Sequence, residues 1–190
     1  MTDYAAPPPD EKDWTWVIER ACPECGFDAS DIAADELPGL ILLLTLPWTE
    51  VLIRSDVRER PAPDTWSALE YACHVRDVCR VFAERTQLML AEDGPTFANW
   101  DQDQAAADGA YHREDLGQVA EDLRTAAQDW IELYGRVEAD QWDRQGFRGD
   151  GAPFSVLTLG RYGMHDLAHH LVDVRAAVPD SARHGDQEAR

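Results

Sequence analysis

An all-α four-helix bundle is the fold class this sequence predicts, and three observations predict it. Four segments of about 20 residues repeat apolar side chains at helical spacing. Alternation with period two, the mark of a half-buried strand, is nearly absent; PFSVLTL is the one strand-like stretch. A link of about twenty residues between the second and third segments is longer than an antiparallel helical turn requires. Such a link can cross the length of a bundle and leave the two helices it joins parallel.

The elements follow in order. Residues 1–12 hold Pro7, Pro8 and Pro9 among charges and read as a flexible tail. Residues 13–34 form an N-terminal extension around the knuckle CPECG, and residues 35–178 form the bundle. Its first helix is expected over 35–53, with Pro38 tolerated in the first turn and Pro47 kinking or breaking the interior. The second starts at Ser67, with Glu70 three residues later completing a capping box, and stops near Gly94 and Pro95. Its apolar stripe is Tyr71, Val75, Val78, Phe82 and Met89. The third is expected over 114–139 on Leu116, Val119, Leu123, Ala127, Trp130, Tyr134 and Val137. Ser155 caps the fourth, which carries Val156, Leu159, Gly163, Leu167, Leu171 and Val174 before Pro179. Residues 179–190 read as a second flexible tail.

Composition excludes some functions. The 190 residues carry 37 acidic against 17 basic side chains, a net charge of −20. Binding to phosphate backbones or anionic lipid needs Lys and Arg to neutralise negative charge, so neither nucleic acid nor a membrane surface is an expected partner. The longest apolar run, residues 37–46, is about half of the roughly 20 residues a span requires. The first residues show no basic n-region or apolar h-region, so a cytoplasmic location is the expectation. Four cysteines in a reducing compartment then read as thiols or metal ligands, not as a disulfide framework.

The chemistry-bearing residues are few. His165 and His169 are spaced i,i+4, which stacks two imidazoles on one helical face, and His74 lies one turn into the second helix. Three such rings can share one cation and leave an open coordination position. The competing reading is a hydrogen-bonded core histidine and a surface pair. His170 is rotated by about 100° from His169 and cannot serve the same ion from the same face. Asp101, in the crossing loop beside Trp100, is a candidate general base; the alternative is a loop anchored by a buried Trp. Asp77 and Asp166 can support the ligands or simply lie exposed. Cys22 and Cys25 form half of a zinc ribbon without a second CxxC, leaving open a metal site completed by another group, a redox pair, or a turn with incidental thiols. Cys73 and Cys79 lie about 240° apart on a helix and cannot meet at one ion.

The stretch TWSALEYACHVRDVCRVFAER, followed about ninety residues later by RYGMHDLAHHLVDV, resembles the DinB-like superfamily, which includes mycothiol-dependent maleylpyruvate isomerases and thiol S-transferases. The resemblance implies an up-down-down-up bundle, often dimeric, with a divalent metal held by His74, His165 and His169. It further implies a small-molecule substrate and a low-molecular-weight thiol as cosubstrate. Zinc is the expected ion, with nickel or iron as alternatives. On this reading the chain is a thiol-dependent transferase or isomerase acting on a small electrophile. The alternative is a non-catalytic, metal-stabilised bundle that serves as a binding or dimerisation module.

Overall fold

The computed structural model describes residues 12–179, so the expected tails over 1–12 and 179–190 lie almost wholly outside the described residues. The first bundle segment opens with a 3-10 turn at Ala34–Glu36 and continues as α1, Leu37–Thr45. Pro47 has no amide to donate to the preceding turn, so the helix stops and restarts as α2, Trp48–Val51. The single helix expected over 35–53 is therefore two. Helix α3, Ala68–Ala91, begins at Ser67, whose hydroxyl accepts the amide of Glu70 while the Glu70 carboxylate accepts the Ser67 amide. Helix α5, Leu116–Tyr134, is capped by Asp115 and ends at Gly135, whose amide closes on Ile131. It is shorter at its C-terminal end than the apolar spacing suggests, since Val137 lies in the turn that follows. Helix α6, Val156–Asp173, is capped by Ser155, which accepts from the amide of Thr158.

Side-chain pairs fix the helix directions. Arg76 with Glu114, Arg80 with Asp122 and Thr86 with Tyr134 advance together, so α3 and α5 are parallel. His74 against His170 and Phe82 against Tyr162 advance oppositely, so α3 and α6 are antiparallel. Leu37 packs at Gly160, and Arg54 donates to the carbonyl of Val174, so the first segment runs with α6. The order is up-down-down-up.

Trp48, Trp130, Tyr134 and Met164 fill the interior together with the apolar faces of all four segments. Close approach at the centre depends on Gly163, where an added Cβ would lie 2.6 Å from Trp130 and 2.9 Å from Phe82.

The crossing link between α3 and α5 is not structureless. It holds β1, Thr96–Phe97, and α4, Gln102–Asp108. Strand β1 pairs in parallel with β2, Gln145–Arg148, which pairs antiparallel with β3, Pro153–Ser155. The strand-like PFS is thus β3. The short sheet lies on α3, where a Cβ at Gly146 would meet Met89 at 2.7 Å, and it presents Arg148 towards the mouth of the bundle. Residues 13–34 are stitched to the same body. Phe27, Ala29 and Ile32 join its core, and the Ile32 carbonyl accepts both Nε and Nη2 of Arg161 at 3.0 and 2.8 Å. Among the described residues, no helix is long and apolar enough to cross a membrane.

Candidate metal centre

One stretch of α6, MHDLAHH, carries two interleaved i,i+4 pairs, His165 with His169 and Asp166 with His170. Adjacent residues on a helix are rotated by about 100°, so the pairs face different neighbours. His165 and His169 meet Cys22 and Cys25 of the extension; Asp166 and His170 meet His74 of α3. In each group every potential ligand atom lies within 4.8 Å of the others.

Asp166 and His170, together with His165 and His169, line a cleft of about 740 Å³, and His74 is fully buried beside them. Oδ1 of Asp166 is the hub of the His74 group, 3.4 Å from Nε2 of His74 and 3.5 Å from Nε2 of His170. Ligands bound at about 2.1 Å around a tetrahedral ion stand about 3.4 Å apart, so the spacing already suits a shared cation. The capping of α3 at Ser67 fixes the register that brings His74 to this depth. Its ring is fully buried, stacked on Trp100 at 5.2 Å with the planes 5° apart, with Trp66 at 5.4 Å. His170 places Nδ1 2.8 Å from Asp173 Oδ2. A proton on Nδ1 donated to that carboxylate leaves Nε2 as the ligating atom, the usual support for a metal-bound imidazole.

Buried polar atoms test whether these residues fit a metal. Among the described residues, both ring nitrogens of His74, Nε2 of His165 and Oδ1 of Asp166 are buried without a hydrogen-bond partner. Each such atom costs about 1–3 kcal/mol when left unsatisfied, and four of them meet on one face of the bundle. A cation at each group would satisfy three of them through direct coordination, and the fourth is the second nitrogen of His74. The residues fit.

Electrostatics prepare the same state. Burial pushes the His74, His165 and His169 rings below the usual histidine range, His165 to about 4, so they stay neutral with a lone pair available. Burial works to raise the Asp166 carboxyl, but the field of His170 beside it outweighs this and holds the group at about 2. The group therefore offers a neutral imidazole at His74 and a carboxylate at Asp166. On the other side, burial pushes the Cys25 thiol up to about 12, and Cys22, beside it, adds to the rise.

The structure thus divides the three histidines expected to share one ion. His74 is grouped with Asp166 and His170, whereas His165 and His169 are grouped with the cysteines, although both also line the cleft. The physical reason is the helical rotation that already separated His170 from His169; it places His170 in the other group instead of outside both. The sequence signal for this was the doubled HD…HH pattern at 165, 166, 169 and 170. Asp101 lines the cleft, but its Oδ1 accepts the Gln104 amide at 2.9 Å and caps α4. Asp77 is bound by Arg76, Arg80 and the hydroxyl of Tyr111. Cys73 and Cys79 are buried in the core as free thiols.

The family model of the DinB superfamily matches residues 44–173. No curated protein matches the chain. Among solved structures the chain is similar to YfiT from Bacillus subtilis, described as a probable metal-dependent hydrolase with an unusual four-helix bundle topology. The two share 16% identity with a TM-score of 0.66, over 74% of this chain and 85% of that one. At that identity the likeness speaks to the fold.

Proposed function

This chain belongs to the DinB superfamily, and we propose that it is a divalent-metal-dependent enzyme which activates a low-molecular-weight thiol, or water, against a small electrophile. The observation that carries the reading is the convergence of buried His74 Nε2 with Asp166 Oδ1 and His170 Nε2, the latter two residues lining an open cleft. Three protein ligands leave a coordination position for substrate, and a His/His/Asp set suits zinc, nickel or iron. A divalent cation held there lowers the pKa of a bound thiol or water and so supplies a nucleophile near neutral pH.

The chain's own residues do the rest. Trp66, Trp100 and Tyr71 line the cleft around the ligands and strip water from the reacting groups. Asp173 holds His170 in one tautomer. Arg85, whose guanidinium lies over Phe97 at 4.8 Å and donates to the Ala98 carbonyl, gives an anionic substituent a fixed docking point on the opposite wall. Burial lowers its pKa to about 10, so it remains cationic at neutral pH. The cleft is large enough for a thiol and a small electrophile together.

Chelation tests this reading. Protein stripped of metal, then reconstituted with zinc, nickel or iron(II), is given a small electrophile with and without a low-molecular-weight thiol. Turnover should appear only after reconstitution, and thiol consumption separates transfer from the hydrolysis named for YfiT. Rates in loaded and stripped protein that match the uncatalysed reaction would sink the enzyme and leave a metal-stabilised binding or dimerisation module.

A further inference from the structure

We infer that Cys22, Cys25, His165 and His169 form a second, four-ligand zinc site that closes the N-terminal segment over the bundle. The four ligand atoms lie within 4.8 Å of one another although the cysteines and histidines are more than a hundred residues apart in the chain. Cys22 Sγ is 3.9 Å from His169 Nδ1, close to the roughly 3.6 Å between sulfur and nitrogen ligands on tetrahedral zinc. Cys22 is 1% exposed and His165 4% exposed, and Nε2 of His165 has no hydrogen-bond partner among the described residues.

The backbone is shaped for the same purpose. The Gly26 amide donates to the Cys22 carbonyl at 2.8 Å, and the Cys22 amide to the Phe27 carbonyl at 2.9 Å. Gly26 takes φ +73°, a left-handed conformation that turns the chain tightly enough to aim both thiols one way. A redox pair would need no imidazoles, and a plain turn would need no buried thiols. The second CxxC missing from the sequence is supplied by an HxxxH on α6.

Two thiolates and two neutral imidazoles saturate zinc, so this site is closed and structural where the cleft group stays open. Binding releases one proton from each thiol to solvent. The site also shapes the cleft. Trp14 packs on His165 at 5.4 Å and on His169 at 5.1 Å, and Lys12 pairs with Glu24 at 2.9 Å. All three line the cleft wall, so a zinc here holds one side of the substrate site in place.

The inference shares no ligand with the cleft group, so the two can fail separately. Full-length, untagged protein loaded with zinc under reducing conditions should bind two equivalents per chain. The Cys22→Ser/Cys25→Ser double variant should keep one, and hydrogen exchange over residues 13–34 should speed up. Cobalt substitution should give a thiolate-to-metal charge-transfer band that is absent from this variant and retained in Asp166→Ala. Should the variant not fold, X-ray absorption of the wild-type zinc form decides the matter. A mixed shell with sulfur at about 2.3 Å and nitrogen at about 2.0 Å supports the site. A shell of nitrogen and oxygen alone overturns it, as does a charge-transfer band that survives loss of both cysteines.

Discussion

Asp166→Ala is expected to empty the cleft group of metal and abolish turnover while the helical content of the protein stays unchanged. Asp166 Oδ1 is the atom that both imidazoles approach, at 3.4 and 3.5 Å, and it carries the only negative charge among the three ligands. Removing a partner that merely orients a ligand costs about 10–100-fold in metal affinity, so removing the ligand itself should exceed 100-fold. The fold should survive, because the side chain faces the cleft, 24% exposed, and makes no helix-capping bond. Metal analysis of the variant should show one equivalent lost, with the thiolate charge-transfer band of its cobalt form intact. Retention of the cleft equivalent with full activity would show that Asp166 is not a ligand.

Glu70→Ala should be the most destabilising single change outside the apolar core, by about 3–5 kcal/mol. The Glu70 carboxylate accepts the Ser67 amide at 2.9 Å, the Ser67 hydroxyl at 2.8 Å and Nε of Arg60 at 3.0 Å, and Nη2 of Arg60 reaches its other oxygen. Its side chain is 3% exposed and that of Arg60 14%, so truncation removes the carboxylate that neutralises a guanidinium largely shielded from water. The N-terminus of α3 loses its capping box in the same step. At about 2–4 °C per kcal/mol the loss corresponds to a fall in Tm of roughly 6–20 °C. The pH dependence has a definite sign. Burial opposes ionisation of Glu70, but Arg60 and Ser67 outweigh it and hold the carboxyl below its ordinary 4.5. Its contribution is therefore complete above that value and lost as the pH falls through the lower, folded value. Calorimetry should show the gap between wild type and variant narrowing in acid; a gap that is constant with pH, or under 1 kcal/mol, would contradict the assignment.

The bundle was legible because each helix carries its own boundary signals. Ser67 with Glu70 and Ser155 are capping residues in plain view, and Pro47 marks the break between α1 and α2. The three-stranded sheet was less legible. Only PFS has a strand pattern; Thr96 and Phe97 are too few to show a period, and their pairing with Gln145–Arg148 is set by packing on Met89. At the site, spacing identified the helix and the face but not the partners. An i,i+4 pair says that two side chains point together; it does not say at what. Two overlapping pairs on α6 make that ambiguity acute, and only the rotation of the helix between α3 and the extension decides which pair meets His74. The resemblance implied His74, His165 and His169 as one ligand set, whereas the clusters of potential ligand atoms pair His74 with Asp166 and His170. The CPECG knuckle looked incomplete for a related reason: its remaining ligands come from α6, more than a hundred residues away, where no local pattern links them.

Anomalous diffraction at the zinc edge, on crystals grown with zinc, tests the division of ligands most directly. Two peaks per chain are expected. One should lie about 2.0–2.2 Å from His74, Asp166 and His170, and the other among Cys22, Cys25, His165 and His169 at bond lengths of about 2.0–2.3 Å. A single peak bound jointly by His74, His165 and His169, with the cysteines unligated, would contradict it.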